Sequence, residues 1–134
     1  MTQTAIEVTQ AFLGAVFSGA METAMALTAP EAVFIATNPQ TNPSNPMHGT
    51  FTGHDGAADF FSSFAEILEP GDFEITAAFG DETHAALYGT LIHTVRATGR
   101  PFVSDWALIT KIEDGQLVLY HFYEDTEALA AAMR

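Results

Sequence analysis

Hydrophobic residues recur at the spacing of an α-helix in the first part of the chain. The first apolar stripe comprises Ile6, Phe12, Leu13, Val16 and Phe17. Thr4 is followed three residues later by Glu7, which fits a capping box, so the pattern predicts a helix from there to about Phe17. A Ser-Gly-Ala break at 18–20 ends this helix, and a short second helix is expected over 21–28.

A long polar loop separates the first predicted strand from a third helix. Residues 32–36 form a compact apolar strand, and 37–53 contains three Asn-Pro pairs, which favour turns and extended backbone. A loop of this length can be a lid over a pocket or simple irregular structure, and the sequence does not decide between them. Beyond it, Thr52 or Asp55 can cap a helix that ends at the EPGD sequence. Its expected buried stripe is Phe60, Phe61, Phe64, Ile67 and Leu68.

The second half of the chain alternates apolar and polar residues at the period of β-strands. Strands are expected over 73–79, 83–95, 102–112 and 116–124, with a hairpin turn at Asp114-Gly115. A short helix capped by Asp125 or Thr126 follows. This order predicts one α+β domain over 1–134, with the helices packed on one face of a curved antiparallel sheet.

The outer face of this sheet needs a cover. Both faces of the last three strands are apolar, whereas the helices can cover only one. A second copy of the chain, packed sheet to sheet, is the simplest cover, so we expect a homodimer through the outer sheet face.

Composition and charge narrow the possible functions. Four Lys plus Arg against 17 Asp plus Glu give a formal charge of −13, which argues against nucleic acid and anionic membranes as partners. The absence of cysteine excludes disulfides, thiolate nucleophiles and cysteine-based metal sites. No leader pattern opens the chain and no apolar run approaches the roughly 18 residues of a bilayer span, so a soluble cytoplasmic protein is expected.

Asp105 is the first candidate for chemistry, because it interrupts an apolar strand where an unpartnered charge would be costly. A two-residue hairpin loop, counted outward, places it opposite Glu124. Two carboxylates at one end of an apolar wall would raise a carboxyl pKa and suit a general acid or base. Alternatively, Glu124 turns to solvent or caps the last helix. The predicted wall comprises Val103, Asp105, Ala107, Ile109, Val118, Tyr120, Phe122 and Glu124.

His93 is the second candidate, since an imidazole is suited to proton transfer near neutral pH. It is expected to share a strand face with apolar residues, while Tyr88 points the other way. A two-residue turn in the ATGRPF segment would place it opposite Trp106, whereas a three-residue turn would place it opposite Asp105. The residues of the segment do not distinguish the two turn lengths. A neutral histidine buried in the core is a further alternative.

The remaining histidines give no metal-binding signature. His48 and His54 flank the long loop, where they could line an entrance or simply be solvated, and His121 is expected on the outer side of the sheet, opposite the Asp105 wall. The five histidines form no HxH, HxxxH or HExxH spacing, and the chain has no glycine-rich phosphate loop or GxSxG motif. We therefore expect neither a metal nor a cofactor.

Three segments make nearly the whole chain resemble a SnoaL-like protein of the NTF2-like superfamily, which includes ketosteroid isomerases, limonene epoxide hydrolases and polyketide cyclases. They read AFLGAVFSGAMETAMALTAPEAVF, GTFTGHDGAADFFSSF and ATGRPFVSDWALITKIEDGQLVLYHFYEDTEAL. The resemblance implies a cystatin-like cone, in which a bent antiparallel sheet wraps around the N-terminal helices and a pocket, usually in a dimer. This family reuses one pocket for many reactions.

The resemblance also implies which residues could act. The catalytic tyrosine and aspartate of the ketosteroid isomerases match Phe12 and about Ala36, so steroid isomerase chemistry is not expected. Two of the three charged groups that the epoxide hydrolases use have no charged counterpart at the matching positions of this sequence. The polyketide cyclases place a histidine and an aspartate at positions that match His93 and Asp105.

The sequence thus predicts a small-molecule enzyme of cyclase, isomerase or dehydratase type. Asp105 would remove a proton α to a carbonyl, and His93 would orient that carboxylate or protonate the enolate oxygen. A small apolar substrate is expected to contact Phe12, Phe34, Tyr88, Trp106, Tyr120 and Phe122. The alternative is a non-catalytic protein that binds a ligand or only dimerises.

Overall fold

The structure is a computed structural model that describes residues 4–134. The helices are α1 (Ala5–Phe17), α2 (Met21–Ala26), α3 (Gly53–Ile67) and α4 (Thr126–Ala132). The strands are β1 (Thr28–Ala36), β2 (Thr50–Thr52), β3 (Leu68–Gly80), β4 (His84–Val95), β5 (Pro101–Glu113) and β6 (Gln116–Glu124). The predicted domain span of 1–134 includes residues 1–3, which lie outside the described part.

Local sequence signals set the helix ends. The Thr4 hydroxyl accepts a hydrogen bond from the Glu7 N–H at 3.3 Å, and the Glu7 carboxylate accepts from the Thr4 N–H at 3.2 Å, which confirms the capping box. At the other end, the Asp125 carboxylate accepts from the Ala128 N–H at 2.9 Å and caps α4. The second helix is shorter than predicted, because the chain enters β1 at Thr28.

All six strands form one curled sheet, ordered β2-β1-β6-β5-β4-β3. The β3 to β6 meander is antiparallel as predicted, whereas β1 pairs in parallel with β6. The three-residue β2, which pairs with β1, was not predicted from the Asn-Pro-rich segment. Pro30 lies inside β1 where the β1–β6 register shifts, and such an irregularity tolerates a missing N–H. The predicted α+β class is confirmed.

The helices and the inner sheet face enclose an aromatic core. The ring of Tyr120 lies 5.4 to 5.7 Å, between centroids, from four phenylalanines: Phe12, Phe34, Phe60 and Phe61. Phe12, Phe34 and Phe60 are fully or almost fully buried. Within residues 4–134, no helix is both long and apolar enough to cross a bilayer.

A β-bulge in β6 corrects the predicted hairpin register. The pair beside the turn is the predicted one, but the register then shifts at Val118, which is left as the extra residue. Beyond the bulge Trp106, rather than Asp105, lies opposite Glu124. Because a shift of one residue moves a side chain to the other face, the predicted wall is wrong. Tyr120, Phe122 and Glu124 face the helices, whereas Val103, Asp105, Ala107 and Ile109 face outward.

The turn between β4 and β5 also differs from both predicted alternatives. It spans four residues and ends at Gly99, whose φ of 71° is in the left-handed region that glycine favours. His93 therefore lies opposite Phe102, and Asp105 lies opposite Thr90. As predicted, His93 faces the core, but Asp105 is exposed on the outer face. The two predicted catalytic residues lie on opposite faces of the sheet and cannot form a dyad.

Candidate functional site

An open cavity of about 440 Å³ lies where β3, β4, β5 and β6 run side by side. The row Tyr88–Ala107–Tyr123 crosses it, and the small side chain of Ala107 leaves a gap between the two phenol side chains. Thr90 and Asp105 form the next row. The other lining residues are Thr76, Gly89, Trp106 and Glu124.

Gly89 brings β3 and β4 close together at this cavity. A Cβ at Gly89 would collide with the carbonyl oxygen of Glu74 on the neighbouring strand. Next to this contact the β3–β4 register shifts, and Thr76 is the extra residue. The sheet bends at such a bulge, so the missing side chain of Gly89 and the extra residue Thr76 together shape one wall of the cavity.

Glu124 is the buried carboxylate of the site. Its alternation with Tyr120 and Phe122 along β6 turns it toward the inner side, beside Trp106. Burial raises the pKa of Glu124 to about 7, because an ionised carboxylate loses its hydration there. Its Oε2 atom is buried and has no hydrogen-bond partner within residues 4–134. Burial, and secondarily the charge of Glu124, also raise the pKa of the Tyr120 phenol above its ordinary value.

Stacked rings lead from Glu124 into the inner side of the sheet. The indole of Trp106 stacks on Phe122 at 5.6 Å and on Phe73 at 4.5 Å, between ring centroids. Its Nε1 donates a hydrogen bond to the carbonyl of Thr90 at 3.1 Å, which fixes the orientation of the indole. Glu124, which lies opposite Trp106 in the strand pair, is therefore next to this group of stacked rings.

The ring of His93 belongs to the same group of stacked rings and accepts a hydrogen bond from the backbone. Its ring stacks with Phe73 at 6.5 Å, and its Nδ1 accepts from the N–H of Gly71 at 3.0 Å. Nδ1 also lies 3.2 Å from the carbonyl of Ile92, so backbone groups of β3 and β4 surround this nitrogen. Desolvation lowers the pKa of His93, so the neutral form is favoured. These contacts match the alternative of a neutral core histidine, and His93 does not line the cavity.

The structure separates the predicted binding residues into two groups. Trp106 and Tyr88 line the cavity, although Tyr88 is 47% exposed on the outer face. The other predicted contacts, Phe12, Phe34, Tyr120 and Phe122, are buried in the aromatic core. In the sequence, Glu124 was interpreted as the partner of Asp105, or alternatively as a solvent-exposed residue or a cap of the last helix, but α4 is capped by Asp125. The signal that could have identified Glu124 is its position in the strand. It follows Tyr120 by four residues and Phe122 by two, and alternate residues of a strand share one face.

The remaining histidines have separate surroundings. His48 is buried, which lowers its pKa, and the Nε2 of His54 lies 2.9 Å from the carbonyl of Thr28. His121 lies opposite Ile109 and so shares the outer face with Asp105. His121 is thus on the expected outer side, but the prediction that Asp105 lies on the other face is wrong for the same reason as the hairpin register. Among residues 4–134, no three potential metal ligands cluster.

Solved structures with low sequence identity share this fold. An NTF2-like protein from Burkholderia xenovorans LB400 matches with a TM-score of 0.87 and 22% identity over 100% of both chains. TerC, co-crystallised with polyporic acid, matches with a TM-score of 0.82 and 17% identity over 96% of each chain. A protein from Xanthomonas campestris, provisionally named a polyketide cyclase, matches with a TM-score of 0.80 and 15% identity, over 99% of this chain and 98% of its own. These likenesses establish the NTF2-like fold.

Two curated fungal proteins match in sequence. Patulin synthesis protein F of Aspergillus clavatus is 29% identical over 98 residues, which are 71% of this chain and 50% of the relative. Patulin biosynthesis cluster protein F of Penicillium expansum is 28% identical over 98 residues, 71% of this chain and 49% of the relative. The chain thus spans about half the length of the curated relatives it matches. The sequence profile of the SnoaL-like domain matches residues 9–120, and the protein therefore belongs to the SnoaL-like domain family.

Proposed function

We propose that the protein is an acid–base enzyme that moves a proton α to a carbonyl in a small, largely apolar compound, with Glu124 rather than Asp105 as the proton-transferring group. The observation that carries this proposal is the buried carboxyl of Glu124, a residue of the cavity lining whose side chain lies on the inner side of the sheet and whose pKa burial raises to about 7. Near neutral pH both its ionised and its protonated forms are populated, so the same group can take a proton and return it.

The cavity supplies the other groups that such a reaction needs. Ionised Glu124 accepts the proton from the α-carbon, and the electron pair of the C–H bond moves to form an enolate. Thr76, Tyr88 and Thr90 also belong to the cavity lining, and their hydroxyls would donate a hydrogen bond to the enolate oxygen of a ligand that also reaches the carboxyl of Glu124. Return of the proton to another carbon is isomerisation, loss of a β-hydroxyl is dehydration, and attack on a second carbonyl is cyclisation.

The substrate class follows from the lining and from the relatives. Tyr88 and Tyr123 offer exposed aromatic surfaces to a planar ligand. The names of the similar proteins refer to polyporic acid, a polyketide cyclase and patulin, and they motivate a carbonyl-rich, polyketide-type ligand as the first probe.

Proton exchange at an activated carbon tests this proposal without knowledge of the natural substrate. The rate of hydrogen–deuterium exchange at the α-carbons of 2-tetralone and of a 1,3-dicarbonyl compound is followed by NMR in D₂O. Glu124→Gln should reduce the protein-catalysed rate by roughly 10²- to 10⁴-fold, the usual contribution of a general base. Exchange rates that are the same in Glu124→Gln and wild type would refute the role of Glu124.

A matched control variant is Glu113→Gln. Glu113 is exposed and pairs only at the surface, with Lys111 at 3.2 Å, so its loss should leave the exchange rate unchanged. If the probes bind in the cavity but do not exchange faster than in buffer, the non-catalytic ligand-binding alternative is favoured instead.

A further inference from the structure

Thr37 joins the end of β1 to the segment of β6 that carries Glu124. Its N–H donates a hydrogen bond to the carbonyl of Phe122 at 2.6 Å, and its Oγ1 accepts from the N–H of Glu124 at 3.2 Å. The carbonyl of Thr37 lies 3.1 Å from the Nε2 of His121. The backbone N–H, the backbone carbonyl and the hydroxyl of this one residue therefore all bond to the strand around Glu124.

A second group of contacts extends this connection to the cavity wall. Because a carbonyl oxygen only accepts, the Nε2 of His121 carries the proton, and Nδ1 of the neutral ring is an acceptor. The hydroxyl of Tyr123 lies 2.9 Å from that Nδ1 and donates to it, and the two rings stack at 4.0 Å. Since Tyr123 lines the cavity, hydrogen bonds run from the cavity wall through His121 and Thr37 to the backbone of Glu124.

The backbone conformation of Thr37 indicates what the threonine side chain contributes. Its φ is 56°, in the left-handed region that is unfavourable for a β-branched residue and that glycine adopts freely. Glycine would remove this strain, but it has no hydroxyl. The hydrogen bond from Glu124 is thus a contact that threonine provides at this position and glycine cannot.

We propose that Thr37 is the positioning residue of the site, whose hydroxyl fixes the end of β6 and so holds the carboxyl of Glu124 beside Trp106. This inference rests on the proposed role of Glu124. It also connects the long loop to the site, because Thr37 is the first residue of that loop and the carbonyl of the next residue, Asn38, accepts from the N–H of Gly49 at 2.9 Å.

Three substitutions separate the hydroxyl of Thr37 from its backbone strain. Thr37→Ser keeps the hydroxyl, Thr37→Val removes it and keeps the shape, and Thr37→Gly removes it while relieving the strained φ. The first measurement is the pKa of the Glu124 carboxyl, followed by ¹³C NMR and assigned with Glu124→Gln. We expect Ser to keep the wild-type pKa, and Val and Gly to lower it by about one unit or more, because a carboxyl that leaves its buried position is better hydrated.

The second measurement is the pH dependence of the α-proton exchange rate. In the Val and Gly variants the rate should fall about tenfold or more, since misplacement of a catalytic group is costly, and its pH midpoint should move down with the pKa. Wild-type pKa and pH midpoint in both variants would overturn the inference. Thr37→Gly keeps the test decisive if Thr37→Val does not fold. If the pKa shifts while Glu124→Gln leaves exchange unchanged, the positioning role stands and the proposed catalytic role fails.

Discussion

Glu124 lies directly opposite Trp106 in the β5–β6 pair, so the buried carboxyl of the site is next to the only tryptophan of the chain. Trp106 also lines the cavity. A ligand that enters the cavity therefore comes close to a single intrinsic fluorophore, and no label is needed to detect binding.

Ligand binding should quench the fluorescence of Trp106. We expect 2-tetralone, the probe of the exchange assay, to quench it along a saturable curve, because Trp106 is a residue of the cavity lining. Ala107→Leu should abolish the saturable component, since a larger side chain fills the gap between Tyr88 and Tyr123. Ala86→Leu is the matched control, because Ala86 lies on the neighbouring strand, on the same face of the sheet as Ala107, but outside the cavity lining. Equal quenching curves for both variants would place the ligand elsewhere.

The stability of the protein should depend on Glu124 in a pH range set by its pKa. Burial raises the pKa of Glu124 from 4.5 to about 7 in the folded state, so folding favours the protonated carboxyl. The contribution of this protonated form to the free energy of unfolding is lost as the pH rises from 4.5 through 7. At about 1.4 kcal/mol per pKa unit, the loss is on the order of 3 kcal/mol.

Urea denaturation of wild type and Glu124→Gln across this pH range measures the effect. The free energy of unfolding of the variant, relative to wild type, should increase between pH 4.5 and 7. The lowered pKa values of His48 and His93 reduce stability as the pH falls below 6.5 in both proteins, so they cancel in the difference. A difference that does not change with pH would show that Glu124 is hydrated in the folded state.

Gly89 should tolerate no side chain. Because a Cβ there would collide with the backbone oxygen of Glu74, Gly89→Ala should lower the free energy of unfolding by about 3 kcal/mol or more. Gly14→Ala is the matched control, since no atom lies within 4 Å of its added Cβ and alanine favours the helix by roughly 0.5–1 kcal/mol. Thermal unfolding of both variants checks the prediction, and similar effects of the two substitutions would contradict it.

The outer face of the sheet should associate with a second copy of the chain. Outside the cavity lining it exposes large apolar side chains, among them Ile92, Val103 and Ile109. Val103 is 59% exposed, so Val103→Glu should convert a dimer into a monomer in light-scattering measurements of molar mass. Gln10→Glu adds the same charge on an exposed position of α1 and should leave the dimer intact. A monomeric wild-type protein at micromolar concentration would exclude this dimer.

Local signals predicted the elements but not the register that places the site. The capping box at Thr4 and the period of the strands act within a few residues, so they are visible in the sequence. The bulge at Val118 is not, because Leu117, Val118 and Leu119 are all apolar and alternation gives no information there. Because of this one unrecognised extra residue, Trp106 rather than Asp105 lies opposite Glu124, and Asp105 does not share a face with Tyr120 and Phe122.

The turn after β4 was missed because tertiary contacts select it. The guanidinium of Arg96 donates to the carbonyl of Ala65 at 2.8 Å, and the hydroxyl of Thr98 donates to the carbonyl of Ala132 at 2.6 Å. These contacts tie the turn to α3 and α4, two helices that lie far away in the sequence. Turn propensities cannot include such contacts, so the position of His93 relative to Asp105 was not predictable from the segment itself.

The pKa of the Glu124 carboxyl in the folded protein is the most direct test of the proposed acid–base role. A ¹³C NMR titration should give a pKa of about 7, and the same midpoint should appear in the pH dependence of α-proton exchange. The titrating signal should be absent in Glu124→Gln. A pKa near the ordinary value of 4.5 would contradict the account, because Glu124 would then be an ionised, hydrated carboxylate with no buried proton to transfer.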